Sequence, residues 1–84
     1  MSRVNKISVK VKAVLSSILD VSDKEISEDF SITNCKSWDS LKHLNIIFSL
    51  EEVFRIDFSD SDMEEINSFL KITKVIQEKL KSND

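Results

Sequence analysis

Residues 38–54 read WDSLKHLNIIFSLEEVF, and the reading of this stretch decides the fold. Counted from Leu41 at 100° per residue, Leu44, Ile46, Ile47, Leu50 and Phe54 spread over a wide apolar arc, while Lys42, Asn45, Ser49 and Glu52 form a polar stripe. The pattern predicts a helix from Ser40 to Phe54, and so wide an arc predicts a central helix touching several neighbours. Leu41 and Phe48 fall at the edge of the stripe beside Asn45 and Glu52, an apolar pair flanked by polar groups as in a docking surface. At the entrance of this helix the Ser40 hydroxyl is placed to cap the first turn. An anion attached to that oxygen would face unpaired backbone N–H groups at the positive end of the helix dipole.

Upstream, Val4, Ile7, Val11, Val14, Leu15, Ile18 and Leu19 recur at steps of three and four and predict a first helix, with Val9 and Ala13 on its solvated side. Asp20-Val21-Ser22-Asp23 ends it, because these residues favour turns. No period persists over residues 20–39, yet Ile26, Phe30, Ile32 and Trp38 are spaced through the segment like anchors, which a disordered linker lacks. A long ordered loop is expected, with a short helical turn near residues 24–28. Loops of this length in a small domain are uncommon and often functional.

Downstream, Ile56 and Phe58 alternate inward as the chain leaves the second helix. Ser59 to Asp62 offers capping residues, with Asp62 and Glu65 as first-turn acids of a short third helix through Met63 and Ile66. Asn67 or Ser68 caps a fourth helix, in which Phe69, Ile72, Ile76 and Leu80 face inward while Lys74, Lys79 and Lys81 stay outside. Lysines near its C-terminus suit the dipole. The fold class that follows is all-α, a small four-helix bundle with a long first loop and a short third helix.

Composition narrows the function. A chain of 84 residues allows one domain, residues 1–84, with a modest core. The formal charge of −3 is segregated: residues 1–19 hold Arg3, Lys6, Lys10 and Lys12 and no acid, whereas residues 59–68 hold Asp60, Asp62, Glu64 and Glu65 and no base. No basic stripe with aromatic platforms is present, so nucleic-acid binding is not expected, and the acidic segments suit a partner with a basic surface. The basic N-terminus resembles a transit peptide in charge, but its single Arg and its apolar face favour a core helix. The single Cys35 makes no internal disulfide and no metal site, and a reducing, cytoplasmic setting is the expectation. No apolar run is long enough to span a membrane. Glycine and proline are both absent, so turns rely on Asn, Asp and Ser.

Three kinds of chemistry can be weighed. Hydrolysis would need Ser40 and His43, the only histidine, as a dyad, but such a pair would stand on a convex helix end with no Gly-rich loop to shape an oxyanion hole. Calcium binding by the acids of residues 57–65 lacks the spacing and the glycine of an EF-hand loop, and these acids read as a solvated helix entrance. Asp39-Ser40 as a plain N-cap is the third reading, and spacing alone favours it over a modification site, since most such residues are only caps.

Over residues 38–80 the sequence resembles the acyl carrier protein family. The resemblance rests on Asp39-Ser40-Leu41 opening the second helix, then Leu44, Ile47, Leu50-Glu51-Glu52 and Phe54, an acidic short helix, and Ser68-Phe69 opening the last. It implies a carrier and not an enzyme, with a 4′-phosphopantetheine arm joined to Ser40 by a phosphodiester and an acyl group held as thioester on the arm. Asp39 matches the family's acid before the serine, expected to help the phosphopantetheinyl transferase and its Mg²⁺ recognise the site, and Cys35 has no role in transfer. The partners implied are that transferase, an acyl-loading ligase, and acyltransferase or synthase enzymes, docking through Leu41, Asn45, Phe48 and Glu52 on a monomer. Where carriers of fatty acid synthesis usually have acids, this chain has Lys42 and Asn45, and only Glu52, with Glu51, keeps the acidic stripe. The Trp38 form with His43 is similar to discrete carriers of specialised pathways such as surface polysaccharide or natural-product assembly. An aminoacyl or peptidyl carrier, and an unmodified four-helix interaction module, stand as alternatives.

Overall fold

The computed structural model describes the backbone of residues 3–82 and the side chains of residues 6–81. Among them, α-helices run over Arg3–Leu19 (α1), Ser40–Phe54 (α2), Asp60–Glu65 (α3) and Phe69–Ser82 (α4). The expected all-α bundle with a short third helix is what forms. Val4 lies in α1, but its expected place on the apolar face falls outside the described side chains.

The apolar faces close on one core. Val11, Leu15 and Leu19 of α1, Ile46, Ile47 and Leu50 of α2, and Ile72 and Ile76 of α4 are fully buried or nearly so. Val75 joins them although it stands outside the periodic set of the last helix, and Val9 and Ala13 are exposed as their register requires. One expectation is corrected: the central helix is α1 and not α2. α1 packs closely against both α2 and α4, and α3 against α4, while α2 keeps an exposed apolar flank at Leu41, Leu44 and Phe48.

The long loop is ordered by anchors. Ile26, Phe30 and Trp38 are buried, and Ile32 is half-buried against the core. Its first helical turn is a 3₁₀ turn at Asp23–Glu25, slightly before the expected place, and a second occurs at Ile32–Asn34. The Ile32 N–H donates to the Asn67 carbonyl at 2.9 Å and the Phe69 N–H to the Phe30 carbonyl at 2.9 Å, so the loop is pinned by backbone to the α3–α4 junction.

With no glycine available, α1 and α2 turn off through Asp20 at φ 57° and Arg55 at φ 56°, both in the left-handed region. Ser59 caps α3 in a reciprocal box with Asp62: each side chain accepts the other's backbone N–H, at 3.2 and 2.9 Å. The first-turn acids are therefore Asp60 and Asp62, with Glu65 at the far end of the helix. Of the two candidate caps for α4, Ser68 does the work, its hydroxyl accepting the Lys71 N–H at 3.2 Å.

Candidate functional site

The start of α2 is built by Asp39. Its backbone is extended (φ −106°, ψ −173°), its carboxylate accepts the Lys42 N–H at 2.9 Å, and its carbonyl accepts the His43 N–H at 2.8 Å. The cap is thus Asp39 and not Ser40, a correction with a consequence: Ser40 becomes the exposed first residue of the helix. The N–H groups of Ser40 and Leu41 open the helix and have no carbonyl one turn earlier to bond. No acidic residue lies in the first turn after the cap. A singly charged anion on Ser40 Oγ fits this place, where helix dipole and N–H groups favour negative charge.

Outward from Ser40 the surface of α2 is apolar. Leu41 is 67% exposed and Phe48 59%, with Asn45 and Glu52, both exposed, beside them. Leu44 departs from its expected place in the core arc: it is 46% exposed, one helical turn on from Ser40, because no neighbouring helix covers that flank. Leu41, Leu44 and Phe48 make a continuous exposed apolar strip on a single helix face.

Two charged residues of the expected stripe are used inside the molecule. Lys42 is half-buried, and its ammonium donates to the Ile18 carbonyl at the end of α1 at 3.2 Å. Glu51 is half-buried, and its carboxylate accepts the Phe58 N–H at 2.9 Å, holding the chain where it leaves α2. Glu52 is left as the outward-facing acid of that stripe.

His43 stands on the inner side of the same turn. The buried Trp38 indole N–H donates to its Nδ1 at 3.0 Å, and its Nε2 lies 2.9 Å from the Met63 carbonyl of α3. An indole N–H only donates and a carbonyl only accepts, so the two contacts assign the ring proton to Nε2. Phe30, Trp38 and His43 stack in sequence, with 6.0 Å between successive ring centroids. Both ring nitrogens are engaged away from Ser40, and a Ser40–His43 dyad does not form. The link was findable in the sequence: a buried tryptophan needs an acceptor, and His43 lies five residues on.

Cys35 is buried, its thiol 3.3 Å from the Ser37 hydroxyl. Among the described residues no group of His, Cys, Asp and Glu is arranged to hold a metal ion, and no helix is long and apolar enough to cross a membrane.

No protein-family model matches the chain. It is 34% identical over 77 residues to an acyl carrier protein of Buchnera aphidicola subsp. Schizaphis graminum (strain Sg), an alignment covering 92% of this chain and 98% of that protein. It is 28% identical over 80 residues to an acyl carrier protein of Thermotoga maritima, covering 95% and 99% of the two chains. A third relative, an acyl carrier protein of Coprothermobacter proteolyticus, is 28% identical over 75 residues, with 89% and 92% covered.

Proposed function

The chain belongs to the acyl carrier protein family, and we propose that it holds an acyl group as a thioester on a 4′-phosphopantetheine arm attached to Ser40 and delivers it to enzymes of a specialised biosynthetic pathway. The observation that carries this reading is the division of labour at the start of α2: Asp39 caps the helix, and Ser40 stands exposed as its first residue. When bound, the arm supplies a terminal thiol for thioester chemistry. The residues of the chain hold and present it. The first-turn N–H groups and dipole of α2 favour the phosphodiester on Ser40 Oγ, and Asp39 offers the transferase and its Mg²⁺ a carboxylate beside the serine.

Delivery requires a surface that partner enzymes recognise. Leu41, Asn45, Phe48 and Glu52 are the proposed contacts, to which the exposed Leu44 is added. With Lys42 and Glu51 engaged internally, docking rests mainly on apolar area, with Glu52 as its outward charge. A partner rich in acid-seeking basic residues, as in fatty acid synthesis, gains little on α2 itself and meets the exposed acids Asp60, Glu64 and Glu65 only on α3. This supports a dedicated pathway whose loading ligase and acyltransferase or synthase present an apolar counterpart.

The test is the intact mass of the protein after incubation with coenzyme A and a broad-specificity phosphopantetheinyl transferase. The expected result is addition of one phosphopantetheine to the wild type and none to Ser40→Ala. No gain on the wild type, while a control carrier is modified, would overturn the reading in favour of an unmodified interaction module.

A further inference from the structure

The backbone turn that contains Ser40 is closed by His43, whose N–H bonds the Asp39 carbonyl at 2.8 Å. The ring of the same residue is fixed at two points on other elements: the Trp38 indole N–H in the loop, and the Met63 carbonyl in α3. Trp38 precedes Ser40 by two residues and His43 follows it by three, so in the sequence Ser40 is flanked by two residues whose rings stack on each other. The outer surface of this turn is exposed at Asp39, Ser40 and Leu41, while the two ring contacts of His43 lie on its inner side.

We propose that His43 is a positioning residue for Ser40, its ring holding the first turn of α2 against the loop and α3 so that Ser40 Oγ is presented in one orientation to the transferase. This rests on Ser40 being the site of modification. In the transfer, Ser40 Oγ forms a bond to the phosphorus that bears the pantetheine of coenzyme A. The pyrophosphate bond breaks, adenosine 3′,5′-bisphosphate leaves with the electron pair, and the serine proton passes to a base on the transferase. His43 takes no part in that proton movement, because Nδ1 already accepts from Trp38 and Nε2 already donates to Met63. It acts on geometry, to which in-line displacement is sensitive.

The test compares kcat and KM of the transferase with coenzyme A on the full-length wild type, His43→Phe and His43→Gln, each first shown by circular dichroism to be folded at the assay temperature. His43→Phe keeps an aromatic ring and loses both hydrogen bonds, whereas the glutamine amide can both accept and donate. The expected result is a kcat about tenfold lower for His43→Phe with a KM for the carrier within about twofold of the wild type, and recovery of most of the loss in His43→Gln. A wild-type kcat for His43→Phe, a loss confined to KM, or a glutamine variant no better than phenylalanine would each overturn the proposal. Should His43→Phe not fold, Trp38→Phe replaces it: this variant removes the donor to Nδ1 together with part of a buried ring, so it is first shown to be folded in the same way, and an unchanged kcat there overturns the proposal equally. A wild type that gains no arm at all removes the reading of Ser40 itself, an outcome distinct from any difference between the variants.

Discussion

The Lys42 ammonium donates to the carbonyl of Ile18 at 3.2 Å, joining the first turn of α2 to the last turn of α1 across 24 residues of sequence. The neighbouring Leu19 carbonyl accepts from the Ser37 hydroxyl at 3.1 Å. The C-terminal carbonyls of α1, which have no partner further along their own helix, are thereby satisfied by the segment that leads into the Ser40 turn. A lysine that breaks the acidic pattern of the family is a structural tie between two helices.

Lys42→Glu is accordingly expected to destabilise the fold by about 1 kcal/mol, since the lost donor and a carboxylate against the negative end of α1 outweigh that carboxylate's favourable place in the first turn of α2. Urea unfolding measures this. A stability equal to the wild type, with faster loading by a basic partner, would instead make Lys42 a surface residue that merely repels that partner.

At Asp39 the cap and the charge can be separated. Asp39→Asn keeps a side-chain oxygen for the Lys42 N–H and is expected to hold stability within about 0.5 kcal/mol, whereas Asp39→Ala is expected to lose about 1 kcal/mol. If the carboxylate serves the transferase and its Mg²⁺, both variants are modified several-fold more slowly. Normal modification of Asp39→Asn would reduce Asp39 to a cap.

Phe48 and Leu50 lie two positions apart on α2 and differ in burial, 59% exposed against 0%. Phe48→Ala is expected to change stability by less than about 0.5 kcal/mol while slowing acyl loading, and Leu50→Ala to cost about 2–5 kcal/mol. Thermal unfolding paired with a loading assay reads both. A large loss of stability in Phe48→Ala would place that ring in the core.

Asp62 of α3 pairs with Lys79 of α4 at 2.7 Å. The Lys79 ammonium, with the Ser59 N–H, holds the Asp62 carboxyl below its ordinary value of 3.8. Its folded pKa lies below the unfolded one, so the pair contributes stability above about pH 4 and loses it as pH falls through the folded pKa. The side chains keep 26% and 21% exposure, and the contribution is held to about 1 kcal/mol or less. Lys79→Met is expected to flatten the acid limb of the stability profile below about pH 4. An acid limb identical to the wild type would show that the pair contributes nothing.

Arg55 closes α2 at φ 56° where glycine is the usual choice. Arg55→Gly removes the Cβ conflict and is expected to raise stability by about 0.5–1 kcal/mol, less than the full relief because glycine also gains freedom in the unfolded chain. Chemical denaturation checks this, and a loss of stability would mean that the arginine side chain contributes packing beyond its backbone.

By itself the sequence determined the helices, since period, caps and breakers act within a few residues: α2 begins and ends at Ser40 and Phe54 as its pattern requires, and Ile26, Phe30 and Trp38 anchor the loop. It also carried the family resemblance through Asp39-Ser40-Leu41. What tertiary structure alone decided is which side of an over-wide apolar arc meets a neighbour. α1 takes the centre and α3 is only six residues long, so Leu44 is left on the surface with Leu41 and Phe48. The destinations of Lys42, Glu51 and His43 belong to the same class. The Ile18 carbonyl for Lys42, the Phe58 N–H for Glu51 and the Met63 carbonyl for His43 are backbone groups placed by the packing of the chain, whereas the Trp38 partner of His43 lies within reach of local spacing. A side chain's type states what it can bond; only the packed bundle states which carbonyl or N–H stands within reach.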